Sequence, residues 1–292
     1  MFARIALLVF CCVSFAKADS PATLRWRWKS GETMKLRVTQ STVTSSAAGD
    51  KRFQLTLLTA MEMQWQVERI DENNTAEIIQ AFTRLQMRTV DVEGNASEFD
   101  SASAQPPPAQ MQELAAAVRP LLGSRFTVRI SERGEIQSVT LGEQAEARLA
   151  SVPKSSPLRR LLTTEGLQRT LQQALPLLPQ EPQSQGDIWK QTRKIASPVG
   201  QIQIDQAFTL QGVQEVGGKP LTRIDMSAQL QWESNKPLKQ TYKGVFYYDH
   251  LKGWLKHSQI SQTLESESRF RDSVIPVKTQ STVTLKLEPW EK

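Results

Sequence analysis

Two cysteines and two histidines are all that the 292 residues contain. Cys11 and Cys12 both fall within the first eighteen residues, so a chain that loses that segment carries no thiol. Disulfides, thiolate metal sites and cysteine nucleophiles are thereby excluded from it. His250 and His257 lie in and beside a turn and offer little material for a metal or catalytic centre. The G-x-S-x-G elbow of serine hydrolases is absent, as are a phosphate-cradling glycine-rich loop and a calcium loop with spaced acids. No cofactor and no metal are expected. No segment after Phe15 approaches the roughly 20 apolar residues that a spanning helix needs.

The N-terminus has the three parts of a secretory signal. Arg4 is the positive end, Ile5 to Phe15 is an apolar run broken only by Ser14, and Ala16-Lys17-Ala18 puts small residues where a signal peptidase reads. Cleavage is expected before Asp19. Removing 18 of 292 residues leaves 274, and the loss of Arg4 and Lys17 lowers the net charge from +6 to +4. The expected product is exported, to the periplasm, the envelope or beyond, with no transmembrane segment after processing. It has enough length to bury a core without disulfide staples.

Period-two alternation dominates the rest of the chain and places alternate side chains on one face of a strand. Leu24, Trp26 and Trp28 alternate with Arg25, Arg27 and Lys29, and the pattern resumes at Met34, Leu36 and Val38. The longest case runs from Phe53 through Leu55, Leu57, Thr59, Met61, Met63 and Trp65 to Val67. A strand that long is expected to bend, with a bulge. Asp71-Glu72-Asn73-Asn74 turns the chain into a strand from Ala76 to about Val90. In the second half Ile202, Ile204, Phe208 and Leu210 share one parity, as do Ile224, Met226, Ala228, Leu230 and Trp232. Strands are further expected over Thr241 to Asp249, from Trp254 to Glu265 and around Val277 to Leu287.

Helical spacing is confined to two places. Ala109 to Leu122 follows the break at Pro106-Pro107-Pro108, with Pro120 late in it, and a stretch from about Pro157 to Leu175 carries Leu167, Leu171 and Leu175 at i, i+4. Pro176, Pro179 and Pro182 then make an extended linker. The fold class is therefore mainly β with helices (α+β), built of large curved antiparallel sheets. The expected layout is a signal at 1–18, a first β-rich half at 19–140 with its helix near 109–122, a helical connector and proline-rich linker at 141–185, and a second β-rich half at 186–292. The halves repeat features in the same order, such as Gly134-Glu135-Ile136 and Gly253-Trp254-Leu255, which points to two related units.

These pieces resemble a family of exported bacterial proteins known only as a domain of unknown function. The resemblance is carried by Leu24-Arg25-Trp26-Arg27-Trp28-Lys29-Ser30-Gly31-Glu32, Val38-Thr39-Gln40 and Met63-Gln64-Trp65-Gln66-Val67. It continues in Phe99-Asp100-Ser101, Phe126-Thr127-Val128 with Gly134-Glu135-Ile136, and Gly186-Asp187-Ile188-Trp189. Their order across most of the chain gives it weight. It implies export and a β-rich body, and it brings no catalytic residue.

Met61, Met63, Trp65, Met226 and Trp232 are large and adaptable, and a curved sheet closed by leucine-rich helices could hold a lipid against them. Exported lipoprotein carriers use that architecture. The plainer role for the same five residues is an ordinary core. Asp100 and Asp249 each follow an aromatic strand and are the one acidic pair to name for a carboxylate-dependent hydrolase, or else two turn caps. The basic residues Arg25, Arg27, Lys29, Lys35 and Arg37 read as a solvated strand face rather than a nucleic-acid site. The leading expectation is a non-enzymatic binding or envelope-associated protein for an apolar or amphiphilic ligand. The alternatives are an interaction module without a ligand cavity and, third, the hydrolase. The candidate partners are lipid or another envelope protein.

Overall fold

The computed structural model describes residues 21–48, 51–152, 159, 163–197, 200–232, 239–270 and 273–290. The expected signal, residues 1–18, and the start of the second helical stretch lie outside them. Among the described residues twelve strands run in chain order: β1 (Thr33–Ala48), β2 (Lys51–Ile70), β3 (Ala76–Val90), β4 (Ala96–Asp100), β5 (Arg125–Ile130), β6 (Ile136–Leu141), β7 (Ile188–Ser197), β8 (Gly200–Val216), β9 (Lys219–Trp232), β10 (Lys239–Asp249), β11 (Trp254–Phe270) and β12 (Ser273–Pro289). The described helices are α1 (Gln112–Val118), α2 (Glu143–Ala150) and α3 (Thr164–Ala174).

All strands join one antiparallel sheet ordered β6-β5-β3-β2-β1-β12-β11-β10-β9-β8-β7, with β4 on β3. The seam between first and last strands pairs Leu36 with Leu287 and Val38 with Leu285. Register shifts break the β2–β3 pairing at Glu62/Met63 and again between Val67 and Arg69. The first leaves Thr83 of β3 unmatched and the second Glu68 of the 20-residue β2, bulges by which long strands follow a curved sheet.

The curvature can be measured from one segment. β5 and β10 stand six strand steps apart, about 29 Å in a flat sheet. Yet the adjacent residues Trp26 and Arg27 donate their backbone N–H groups, each at 2.7 Å, to the Glu132 carbonyl after β5 and the Gly253 carbonyl after β10. The sheet therefore curls until those two turns nearly meet. The segment from Leu24 to Trp28 straps them together. Its alternation buries Leu24, Trp26 and Trp28, as the pattern implies. It forms no ladder, because its hydrogen bonds go to turns; the one bridge nearby pairs Ala22 with Gln183.

Inside the curl lies the core. Trp65, Leu36, Ile78, Val128, Ile224 and Leu255 are fully buried on the sheet, and Met111, Val118, Leu167, Leu171, Leu175 and Leu178 cover them. The α3 stripe sits at the expected spacing, and Thr163 caps the helix by accepting from the Gly166 N–H at 3.2 Å. The first expected helix is shorter than its sequence stretch. Only Gln112–Val118 is α-helical, flanked by 3-10 turns at Ala109–Met111 and Arg119–Leu121, the second holding Pro120. α2 lies between the two expected helical stretches: only Ala145 and Leu149 are buried on it, against Leu121 and Val152. Three of its four apolar residues are alanines, so Leu149 is the one large apolar side chain in eight positions and gives little periodic signal.

Candidate functional site

Alternation decides where the expected ligand-lining residues go. Met63, Trp65 and Met226 are buried in the core, and Met61 packs partly buried against it. The Trp65 indole N–H donates to Gln80 Oε1 at 2.8 Å, a bond between two fully enclosed side chains. Trp232 pairs with Ile202 at the end of β9, and its side chain lies outside the described residues. Clefts of about 500 Å³ open elsewhere, one beside Pro106–Pro108 with Met87, Phe99 and Asp100 on its wall, another at the tips of the β1–β2 and β11–β12 hairpins. Neither is lined by Met61, Met63, Trp65 or Met226.

Asp100 and Asp249 are not brought into one site. The row through Asp100 runs by register across Gln86, Ala60, Thr39, Thr284 and Gln259 to Val245 on β10, four residues short of Asp249. Asp100 accepts from Arg84 Nε at 2.9 Å and from Gln86 Nε2 at 3.0 Å. The hydrogen bond from Arg84 is the main reason its carboxyl is held far below the usual carboxylate range, which unfits it as a general acid. Asp249 accepts the backbone N–H groups of Leu251 and Lys252 at 3.1 and 3.0 Å, so it caps the β10–β11 turn.

His257 stands on β11, half-buried, its ring stacked on Tyr247 with centroids 6.1 Å apart and its Nδ1 buried without a partner. Burial, with Lys286 nearby, pushes its pKa down. The unfolded chain, titrating near 6.5, then binds the proton more readily than the folded chain, so stability falls as pH drops below that value. His257→Gln is expected to flatten the fall in melting temperature between pH 7 and 5; an unchanged pH profile would refute the assignment.

Register shows what the core-facing side of the sheet does beyond the core. One row runs Leu57, Thr42, Ser281, Gln262, Tyr242, Ala228, Gln206, Gln191. The next row out holds Leu55, Thr44, Thr279, Leu264 and Gln240, and on the far strands Leu230, Ile204 and Arg193. Leu55 and Phe53 are 47% and 38% exposed, and Leu57, Leu264 and Val277 are partly so. The same face thus carries Phe53, Leu55 and Leu57 on β2, Leu264 on β11 and Val277 on β12 with hydroxyls between them, while on β7 to β10 the polar Arg193, Gln191, Gln206, Tyr242 and Gln240 alternate with Ile204, Ala228 and Leu230. The polar end escapes a search for apolar stripes. Its trace is Gln206, the one gap in the run Ile202, Ile204, Phe208, Leu210.

Among the described residues no group of three or more His, Cys, Asp or Glu could hold a metal ion, and no helix is long and apolar enough to cross a membrane.

A long antiparallel sheet curled around its own helices is the architecture that this chain defines. The model of a family of unknown function, DUF6263, matches residues 73–256, more than half the chain, and the chain belongs to that family. No curated protein matches the sequence. Among solved structures, lipovitellin, determined for its lipid–protein interactions, is similar at 10% identity and a TM-score of 0.45, over 91% of this chain and 26% of lipovitellin. This chain thus spans about a quarter of lipovitellin's length. An exported protein with a YmcC-like fold from Bacteroides fragilis NCTC 9343 is similar at 9% identity and a TM-score of 0.25, over 91% of this chain and 100% of that one. An outer membrane channel from Pseudomonas putida F1 is similar at 9% identity and a TM-score of 0.24, over 92% and 99%.

Proposed function

We propose that this chain is a non-enzymatic binding protein of the cell envelope, exported by residues 1–18, that receives an apolar or amphiphilic ligand on the inner face of its curled sheet. The observation that carries this reading is the continuation of the core-facing stripe of β2 past the core. Trp65, Met63 and Met61 are covered, whereas Leu57, Leu55 and Phe53 on the same face are left partly or largely exposed. An apolar row of that kind in water marks a surface that meets something. The serine and threonine residues opposite it, Thr42, Thr44, Ser281 and Thr279, keep the face soluble when it is empty.

Leu55→Asp separates binding from folding. Because Leu55 is largely exposed, its replacement is expected to change stability by no more than about 0.5 kcal/mol. Affinity for decanol, whose uncharged head leaves its tail free to lie against Leu55 and Leu57, should fall about tenfold, the scale of losing one apolar side-chain contact. Calorimetric titration of both proteins decides it, and equal affinities would sink the proposal. The mass of the protein recovered from its host envelope should correspond to a chain beginning at Asp19. Native mass spectrometry of the same material distinguishes a bound lipid from the second reading, an interaction module without a ligand cavity. The close packing around Trp65 and Met226 favours that second reading, and a ligand-free species bound to another protein would establish it.

A further inference from the structure

The polar end of the inner face carries buried groups that the fold leaves unmatched. Gln206 is 8% exposed and its Oε1 has no hydrogen-bond partner. Both amide atoms of Gln240 are buried and unpartnered. Buried polar atoms are normally paired, so two such side chains on one face call for an explanation. Arg193 lies in the same band, opposite Ile204, itself buried. Its guanidinium donates through Nη1 to the Gln172 carbonyl near the end of α3 and through Nη2 to Gln191 Oε1 at 3.3 Å. Two of its five N–H groups are thus engaged. Among the described residues no carboxylate lies within ion-pair distance of it. Tyr242 brings a phenol to the row of Gln206 and Gln191, with Ala228 between. Burial pushes the guanidinium pKa down and the phenol pKa up, so both groups sit in a poorly solvated place.

We propose that Arg193, Gln206, Gln240 and Tyr242 form the head-group site for an anionic single-chain amphiphile, a carboxylate or a phosphate monoester, whose tail runs along the inner face toward Leu264 on β11. This rests on the ligand-binding reading and gives it a substrate class. A half-buried cation with spare donors, whose one carboxylate neighbour of electrostatic consequence, Glu135, lies beyond ion-pair distance, is suited to an anion. A carboxamide can turn either its N–H₂ or its oxygen toward a ligand, so the two glutamines suit a group with several acceptor oxygens and a hydroxyl. The spacing also fits: from Arg193 on β7 to Leu264 on β11 is four strand steps, about 19 Å along the sheet. Head and tail of one extended chain can therefore be held together.

The test is calorimetric titration of the full mature chain with decyl phosphate, decanoate, decanol and inorganic phosphate. Decyl phosphate and decanoate are expected to bind at least about tenfold more tightly than decanol, the scale of one charge-assisted hydrogen bond, and inorganic phosphate alone much more weakly. Arg193→Gln should erase that preference while leaving decanol binding in place, and Arg193→Lys should restore part of it. Equal affinity of the unaltered protein for decanol and decyl phosphate would overturn the head-group site while sparing the ligand-binding reading. Binding of none of the decyl probes would overturn both. Tight binding of inorganic phosphate alone would replace the amphiphile with a free anion. An Arg193→Gln protein that melts earlier yet keeps the preference would assign Arg193 to anchoring α3 and refute the proposal.

Discussion

Trp65→Ala is expected to cost about 4 kcal/mol or more and to leave a barely folded protein. Three consequences add up. The indole is fully buried, and truncating a buried aromatic to alanine costs about 3–5 kcal/mol through lost transfer energy and an unfilled cavity. It tilts against Trp28 at a centroid distance of 6.5 Å, and Trp28 in turn stacks on Trp26 at 4.7 Å, so the cavity would open beneath the strap. Its N–H is also the hydrogen-bond donor to Gln80 Oε1, an atom of a side chain only 1% exposed. Orphaning that oxygen adds about 1–3 kcal/mol. Since domains are stable by only about 5–15 kcal/mol, little would remain. Trp65→Phe keeps most of the ring and loses only the hydrogen bond, so it should fall between the two, and adding Gln80→Leu should recover part of its loss. Urea unfolding measures all three. A loss below about 1.5 kcal/mol for Trp65→Ala would mean that the ring is not held as the structure has it.

The sheet is legible in the sequence where one face is buried and the other wet, because alternation is then forced at every residue. β2 and β9 are such strands. Trp26 and Trp28 show the limit of that inference. Their parity correctly places them inside, but alternation cannot distinguish a strand in a ladder from an extended strap whose partners are turns more than 100 residues away, as the Arg25–Glu132 pair, 107 residues apart, illustrates. The same limit applies to the candidate ligand residues. Met63 and Met226 have the side chains of an adaptable binding wall, yet identity alone does not say whether a helix covers them. The α3 stripe, also visible in sequence, is part of what does. Conversely, Leu55 and Phe53 look like a continuation of the core stripe, and only the register reveals that hydroxyl-bearing residues stand opposite them. Asp100 and Asp249 fill similar places in the linear order of features, but the fold gives each its own local partners, Arg84 and Gln86 for the one and the Leu251 and Lys252 N–H groups for the other, and the cleft that Asp100 lines does not include Asp249.

Gly253→Ala is expected to cost about 3 kcal/mol, about half of it by displacing the strap. Gly253 has φ +71°, a conformation that costs a residue with a Cβ about 1–2 kcal/mol. A Cβ there would also lie 2.4 Å from Arg27 Cβ and 2.8 Å from the Arg27 backbone nitrogen, and backbone cannot swing aside as the end of a side chain can. The displaced strap would lose the 2.7 Å bond from Arg27 N–H to the Gly253 carbonyl and strain its neighbours, including the Tyr248 hydroxyl that donates to the Arg25 carbonyl and the Arg25 guanidinium that donates to Pro179 O at 2.7 Å. Gly94→Ala is the control. Its φ is +88° and nothing lies within 4 Å of the added carbon, so it carries the backbone cost alone, about 1–2 kcal/mol. The difference between the two variants therefore measures the strap contact. Gly134 stands at the strap's other end, where a Cβ would come within 2.7 Å of Trp26 Nε1 and 2.9 Å of the Pro176 carbonyl, and Gly134→Ala should behave like Gly253→Ala. Trypsin cleavage after Arg27 supplies a local readout, since an extended segment released from both turns is a good substrate and a clamped one is not. Equal losses for Gly253→Ala and Gly94→Ala, with no faster cleavage at Arg27, would show that the two turns do not hold the strap between them.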